Sequence, residues 1–283
     1  RFVRGTFWRN FLVKYPESNR MHKQALRLTR AIDSARLSEA DAAAARDHVW
    51  QGQCNCAYWH GVFGGLYLPH LRFGLYRHLI AAQVMLDRKM LARKNVVFET
   101  TDWNYDGVPE HLLHLRHALL AFTAGGAVDQ LWLKRTGINL CDTLTRRREA
   151  YHAAIASGPG GGTKLEDQIR SKEEGLEAHL VYDRRVRETC GEWLLAADTG
   201  FDAYRTQQFG QVANPVFGAP AFRALRDAHG GAQVRFDGAA QFGGAGLGLV
   251  KTFTVRGGGA SLEVRWVLRA TGDAPVRLRL AAE

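Results

Sequence analysis

Cysteine is scarce in this chain of 283 residues: there are four, too few for a disulfide scaffold. Long apolar runs are missing. The richest, Leu79 to Leu86, breaks at Asp87-Arg88-Lys89, far short of the roughly 18 residues that a bilayer-spanning helix needs. No membrane partner is therefore expected. Arg1-Phe2-Val3-Arg4 leads into Gly5-Thr6-Phe7-Trp8 and not into the apolar stretch of a secretory leader, so a cytoplasmic location is expected. No Gly-x-Ser-x-Gly elbow occurs, which excludes a serine hydrolase of that type. No paired carboxylates stand out for acid/base work. Glu17, in Lys14-Tyr15-Pro16-Glu17, sits at a helix start, where it offsets the N-terminal dipole. The low hydropathy and excess charge of a disordered chain are absent too, with 46% apolar and 23% charged residues.

What is present is enough chain for one large domain or two modest ones. The first residue is Arg and not Met, and Val276 to Leu280 alternates without a closing turn. Both ends read as cut from something longer. The net charge of +10 is uneven: residues 1–93 hold 15 Lys and Arg against 6 Asp and Glu, the remainder 23 against 22. A nucleic-acid binder would gather such cations on one face with aromatics between them. Here they are spread around three helices, so no nucleic-acid partner is expected.

The periodicity divides the chain near residue 93. Pro16 opens a helix whose buried face is Met21, Ala25, Leu28 and Ile32. Ser38 caps a second helix, Glu39 to Trp50, with acids in its first turn. Pro69 starts a third, with Leu71, Leu75, Leu79 and Met85 inside and Arg72, Arg77 and Arg88 outside. From Lys94 onward strands are expected at 96–98, 111–115, 119–122, 128–133, 180–182, 192–196, 233–236, 249–255 and 262–269, separated by Gly-rich turns. Few helices intervene. The expected fold is α+β: a helical segment over 1–93, then an antiparallel β-sandwich over 94–283.

Four motifs stand out. The stretch from Gln53 to Arg72 combines aromatic rings, amides and glycines. Tyr and Trp faces cover the C–H face of a pyranose, and Asn55 and His60 can bond hydroxyls; the same aromatics could equally fill a gap between helices. Cys54-x-Cys56-x-x-x-His60 invites a zinc reading, but Cys141 and Cys190 stand alone where a second close pair is needed. Small buried thiols are expected instead. Asp102-x-Asn104-x-Asp106-Gly107 matches the first half of a calcium loop, with Glu110 a substitute oxygen for the missing acid at position 113, which is Leu; a polar turn before a strand explains it as well. Arg146-Arg147-Arg148 could bind phosphate, or Arg146 could pair with Glu149 while His152 caps an element end. The Gly158-Pro159-Gly160-Gly161-Gly162 run lacks the order of a phosphate loop and reads as surface.

Trp8 to Lys23 and Asn55 to Arg72 resemble glycoside hydrolase family 57, of the α-amylase/4-α-glucanotransferase type. The block Tyr58-Trp59-His60-Gly61-x-Phe63-Gly64-Gly65, extended by Leu68-Pro69-His70-Leu71-Arg72, carries the likeness. Cys56 departs from it, since some relatives hold an acid there. The β part is similar through Asp102 to Gly107, Gly125-Gly126, Asn139, Asp142 to Arg147 and Lys172 to Leu176. The resemblance implies an incomplete β/α barrel upstream, carrying a glutamate nucleophile and an aspartate acid/base that act by retention, a chemistry needing two carboxyls about 5 Å apart. The catalytic pair would then lie outside these residues, leaving the chain alone inactive. Trp59 would stack on a glucosyl unit, His60 would orient a hydroxyl, and Tyr58, Asn55 and Phe63 would shape the pocket of an α-glucan site without a required cofactor. The alternative is a carbohydrate-binding or structural sandwich module without catalysis.

Overall fold

The structure, a computed structural model, describes residues 7–60, 63–156, 175–242, 245–272 and 275–283. Four helices come first: α1 (Trp8–Lys14), α2 (Pro16–Ser34), α3 (Glu39–Gln51) and α4 (Pro69–Met90). Pro16 and Pro69 occupy first turns, where no N–H is needed. Ser38 caps α3 by accepting the Asp41 N–H at 3.1 Å. Met21, Ala25, Leu28 and Ile32 are buried as their spacing requires. They pack with Leu75, Leu79 and Ile80 of α4 and with Ala45 and Val49 of α3.

The strands follow. β1 (Val96–Thr101), β2 (Glu110–Leu115), β3 (Ala118–Phe122), β4 (Val128–Leu133) and β5 (Ile138–Asn139) form one antiparallel meander in chain order. Short α5 (His152–Ala156) leads on to β6 (Glu192–Ala196), α6 (Phe201–Arg205), β7 (Gln211–Ala213), β8 (Val216–Phe217) and β9 (Ala221–Leu225). The long strands β10 (Gly231–Phe242), β11 (Ala245–Arg256) and β12 (Ser261–Ala270) pair in sequence, with β8 and β9 on β10. β13 (Leu278–Ala282) joins β6 and β7 in a third sheet.

Sandwich and helices are tied through the first sheet, which is covered on both faces. Leu113, Leu115, Leu120 and Phe122 meet Val234, Phe236, Phe253 and Val255 of the second sheet. The opposite faces of the same strands, with Leu112, Leu119, Ala121 and Trp132, pack on Leu75, Tyr76 and Leu79. All six residues of β2 are consequently buried, where a one-sided sheet would alternate. β11 does alternate. Its inward row includes Lys251, which pairs with Glu192 and donates to the Gly126 and Cys190 carbonyls.

Several expectations need correction. Arg72 does not face solvent: it is 5% exposed, pairs with Asp142 at 2.8 Å and donates to the Leu66 carbonyl. It occupies the inner side of the first turn of α4, where the β5 side of the sheet supplies its carboxylate. Residues 180–182 make no ladder. Val181 N–H turns back to His179 O, and Asp183 N–H donates to Arg146 O. The Gly158–Gly162 run and residues 172–174 lie outside the described residues.

Candidate functional site

The Gln53–Arg72 block connects α3 to α4 through two short 3₁₀ turns, Asn55–Ala57 and Gly65–Tyr67. The loop between them closes when Leu66 N–H donates to Trp59 O at 2.8 Å. Gly65 has φ +50°, and a Cβ there would lie 2.0 Å from Trp59 O. Only glycine permits that approach. Tyr58 anchors the loop from beneath: it is buried, its hydroxyl donates to Gly52 O at 2.7 Å, and its carbonyl accepts Ser18 Oγ at 2.6 Å. Trp59 beside it is held half in solvent, 43% exposed.

Trp59, Asn55 and Tyr58 line one pocket of about 600 Å³, together with Trp8, His22, Leu26 and Gln53. It presents indole faces flanked by amides. Trp8 stacks on Phe11 at 5.3 Å and meets His22 edge-on at 6.2 Å. His22, Leu26 and Thr29 reach the pocket because they share one flank of α2. Phe63 is 88% exposed and lies outside that lining, and Gly61 and Val62 are outside the described residues.

His60 points into a different cluster. Its ring meets Tyr67 edge-on at 4.7 Å, Tyr151 at 5.7 Å and Tyr15 at 6.4 Å, with Nδ1 3.2 Å from Gly64 O. Beneath these rings Glu149, 4% exposed, accepts Tyr15 Oη at 2.8 Å and Tyr67 Oη at 2.7 Å on one carboxylate oxygen, and Lys14 Nζ at 2.6 Å on the other. Burial alone would raise the Glu149 pKa, but these three donors outweigh it and hold the carboxyl below its ordinary value. Burial and the neighbouring carboxylate raise both tyrosines.

Sequence reasoning missed this hub. Glu149 does not pair with Arg146, which bonds Asp183 at 2.6 Å. Arg147 grips Glu17 at 2.6 and 2.8 Å, so two of the three arginines are internal and not a phosphate site. Glu17 is likewise more than a helix-start charge, since it also accepts the Thr145 N–H at 2.8 Å. His152 does accept a backbone group, the Glu149 N–H at 3.3 Å. No local pattern signals a partner about 130 positions away.

The thiols also depart from expectation. Cys54 and Cys56 are exposed, because the end of α3 and the 3₁₀ turn carry them to the surface; Cys141 is buried. Among the described residues, the one group of three or more potential metal ligands is Asp102, Asp106 and Glu110, whose oxygens lie within 4.8 Å of one another. Asn104 lies with them, its amide donating to Asp106 and Glu110. Asp102 accepts the Asp106 and Gly107 N–H groups at 3.1 and 3.0 Å, which is the work of a polar turn. Burial, opposed by the Trp103 N–H and helped by the neighbouring aspartates, raises the Glu110 pKa to about 8.

Comparison with known proteins sets this loop in context. Residues 6–86 match the model of the alpha-amylase/4-alpha-glucanotransferase middle domain, and residues 102–283 match that of its C-terminal domain. The chain belongs to the alpha-amylase/4-alpha-glucanotransferase family. It is 38% identical over 201 residues to alpha-amylase 1 of Dictyoglomus thermophilum, covering 70% of this chain and 28% of that one. To the 4-alpha-glucanotransferase of Thermococcus kodakarensis it is 33% identical over 233 residues, 80% of this chain and 33% of the relative. The crystal structure of the 4-alpha-glucanotransferase of Thermococcus litoralis superposes with a TM-score of 0.70 at 25% identity, over 95% of this chain and 37% of that one. This family member thus spans about a third of the length of the curated relatives it matches. No described helix is long and apolar enough to cross a membrane.

Proposed function

We propose that this chain is the substrate-binding and C-terminal part of a retaining α-glucan hydrolase or 4-α-glucanotransferase. The catalytic carboxylates lie in an upstream portion, and these residues alone are inactive. The observation that carries this reading is the Trp59 pocket. A loop pinned by Tyr58 and closed over Gly65 holds an indole half-exposed beside Asn55, Gln53 and Trp8, which suits a glucosyl ring. Residues 1–93 supply the glucan contacts. His60 orients a hydroxyl from the Tyr67–Glu149 side, and Phe63 extends the outer edge. Residues 94–283 form the sandwich that backs them. The four unpaired thiols support a reducing compartment, the cytoplasm.

A separable binding module is disfavoured. The first sheet buries one face on the helices, so 94–283 alone would expose Leu112, Leu119 and Trp132. The decisive experiment is Trp59→Ala in the enzyme together with its catalytic part. Turnover of maltooligosaccharides is expected to fall at least about fivefold, in line with the ~1–3 kcal/mol of a lost aromatic contact, with little change in melting temperature. Unchanged kinetics would remove the glucan assignment of this pocket.

A further inference from the structure

A second pocket, of about 540 Å³, opens between α2, α4 and β1. It takes Arg27, Arg30 and Ser34 from α2, where the Trp59 pocket takes His22, Leu26 and Thr29. At 3.6 residues per turn these are different flanks of one helix, so the two pockets are distinct.

The chemistry differs as well. Three cations line it, Arg27, Arg30 and Lys89, with the carboxylates Glu99 and Asp102. Asp102 is already occupied by two backbone N–H groups. Arg27 is fixed by neutral oxygens: Nε donates to Gln24 at 2.8 Å and Nη2 to Gln83 at 2.6 Å. Gln83 is itself held by Asp87 at 2.8 Å, and Asp87 by Lys134 at 2.5 Å. Burial works against the Arg27 charge, and Glu99 and Asp87 offset it only in part. Among the described residues neither Arg27, Arg30 nor Lys89 has a carboxylate in ion-pair contact, and Lys89 Nζ donates to the Arg36 carbonyl, which leaves its charge without a counter-ion. A guanidinium oriented by neutral dipoles and lacking its anion is built to receive one.

Neutral sugars fit poorly. The Tyr105 ring is 47% exposed but already carries the cations Arg30 at 5.3 Å and Lys23 at 4.9 Å, and Trp103 is 2% exposed, so a stacked sugar would have to displace a cation. The volume exceeds that of a bare phosphate, and Ser34, Thr101 and Glu99 add groups that bond hydroxyls. We propose that this pocket is a second ligand site, for a small phosphorylated sugar, with the phosphate at Arg27, Arg30 and Lys89 and the sugar hydroxyls at Ser34 and Glu99. The inference stands apart from the glucan reading, because it uses another flank of α2.

Isothermal titration of the protein with glucose 1-phosphate, inorganic phosphate and maltose tests it. Glucose 1-phosphate is expected to bind most tightly, inorganic phosphate more weakly, and maltose to give no heat that depends on this pocket. The double variant Arg30→Gln/Lys89→Gln changes two exposed side chains, so it should keep the parental melting temperature and weaken glucose 1-phosphate at least about tenfold, two charge-assisted contacts being lost. Trp59→Ala should leave that affinity unchanged. Absence of glucose 1-phosphate binding at millimolar concentration overturns the proposal. So does affinity that survives the double variant, or inorganic phosphate binding as tightly as the phosphosugar.

Discussion

Replacing Glu149 by Gln tests whether the buried carboxylate is what braces the His60 cluster. Tyr15 and Tyr67 both donate to the same oxygen, Oε1, and Lys14 to Oε2. A glutamine with its carbonyl at the Oε1 position keeps both tyrosine bonds but makes them neutral, at about half the strength of charge-assisted ones; the loss is about 1 kcal/mol each. The Lys14 side chain is 50% exposed and can turn to water, so its share is about 0–1 kcal/mol. The sum is about 2–3 kcal/mol, or roughly 5 °C of melting temperature in a chain of this size. Glu149→Ala removes the acceptor from both hydroxyls, and the buried Tyr15 hydroxyl then adds its desolvation penalty, about 1–3 kcal/mol more. The folded-state pKa of Glu149 is depressed. Its stabilisation is therefore complete above the ordinary carboxyl range and is lost as pH falls through the folded value. Scanning calorimetry at neutral and strongly acid pH should show a deficit in the Glu149→Gln variant that shrinks on acidification, with the Ala variant lower at neutral pH. Equal melting of parent and Glu149→Gln at neutral pH, or a deficit indifferent to acid, refutes the reasoning.

Gly65→Ala should displace the Trp59 loop, because the new Cβ meets Trp59 O at 2.0 Å at positive φ; a loss of at least ~2 kcal/mol and an altered indole spectrum are expected, and an unchanged near-UV spectrum would count against the loop geometry. Tyr58→Phe removes the bond to Gly52 O, so stability should fall by about 1 kcal/mol with KM for glucan unaltered; a selective KM change would make Tyr58 a ligand contact and not an anchor. Glu110 has its pKa raised to about 8, so its contribution is present below the ordinary carboxyl range and declines as pH rises towards 8. Thermal unfolding across that interval should show a slope in the parent that Glu110→Gln flattens. Identical slopes would place the titration elsewhere.

The local signals served the helices well. Met21, Ala25, Leu28 and Ile32 recur at the helical period, Ser38 and Pro69 mark helix starts, and each effect acts within one turn of the chain. The meander was legible too, because β1 to β4 pair with their sequence neighbours across short turns. Residues 180–182 look like a strand in composition but form no ladder among the described residues, and composition cannot report which neighbour the fold supplies. Arg72 shows the converse: a charged residue on an apolar helix reads as solvent-facing until Asp142 arrives from the sheet.

The candidate site divides along the same line. The Tyr58-Trp59-His60 block identified the loop and its family, because an uncommon run of aromatics and glycines is a property of consecutive residues. Tertiary structure alone decided that Trp59 opens to a pocket with Trp8 and His22 while the adjacent His60 turns to Tyr67 and Glu149. Two successive side chains leave a turn in different directions, and which surroundings each one meets depends on groups as distant as Lys14 and Glu149. The basic excess of residues 1–93 was countable from the sequence. Only the packing of α2 against α4 and β1 separated cations in direct ion pairs, such as Arg20 on Asp129, from Arg27, which is held by neutral oxygens and only partly offset by Glu99 and Asp87. Composition counts charges, whereas the free energy of a charge is set by what the fold places within a few ångströms of it.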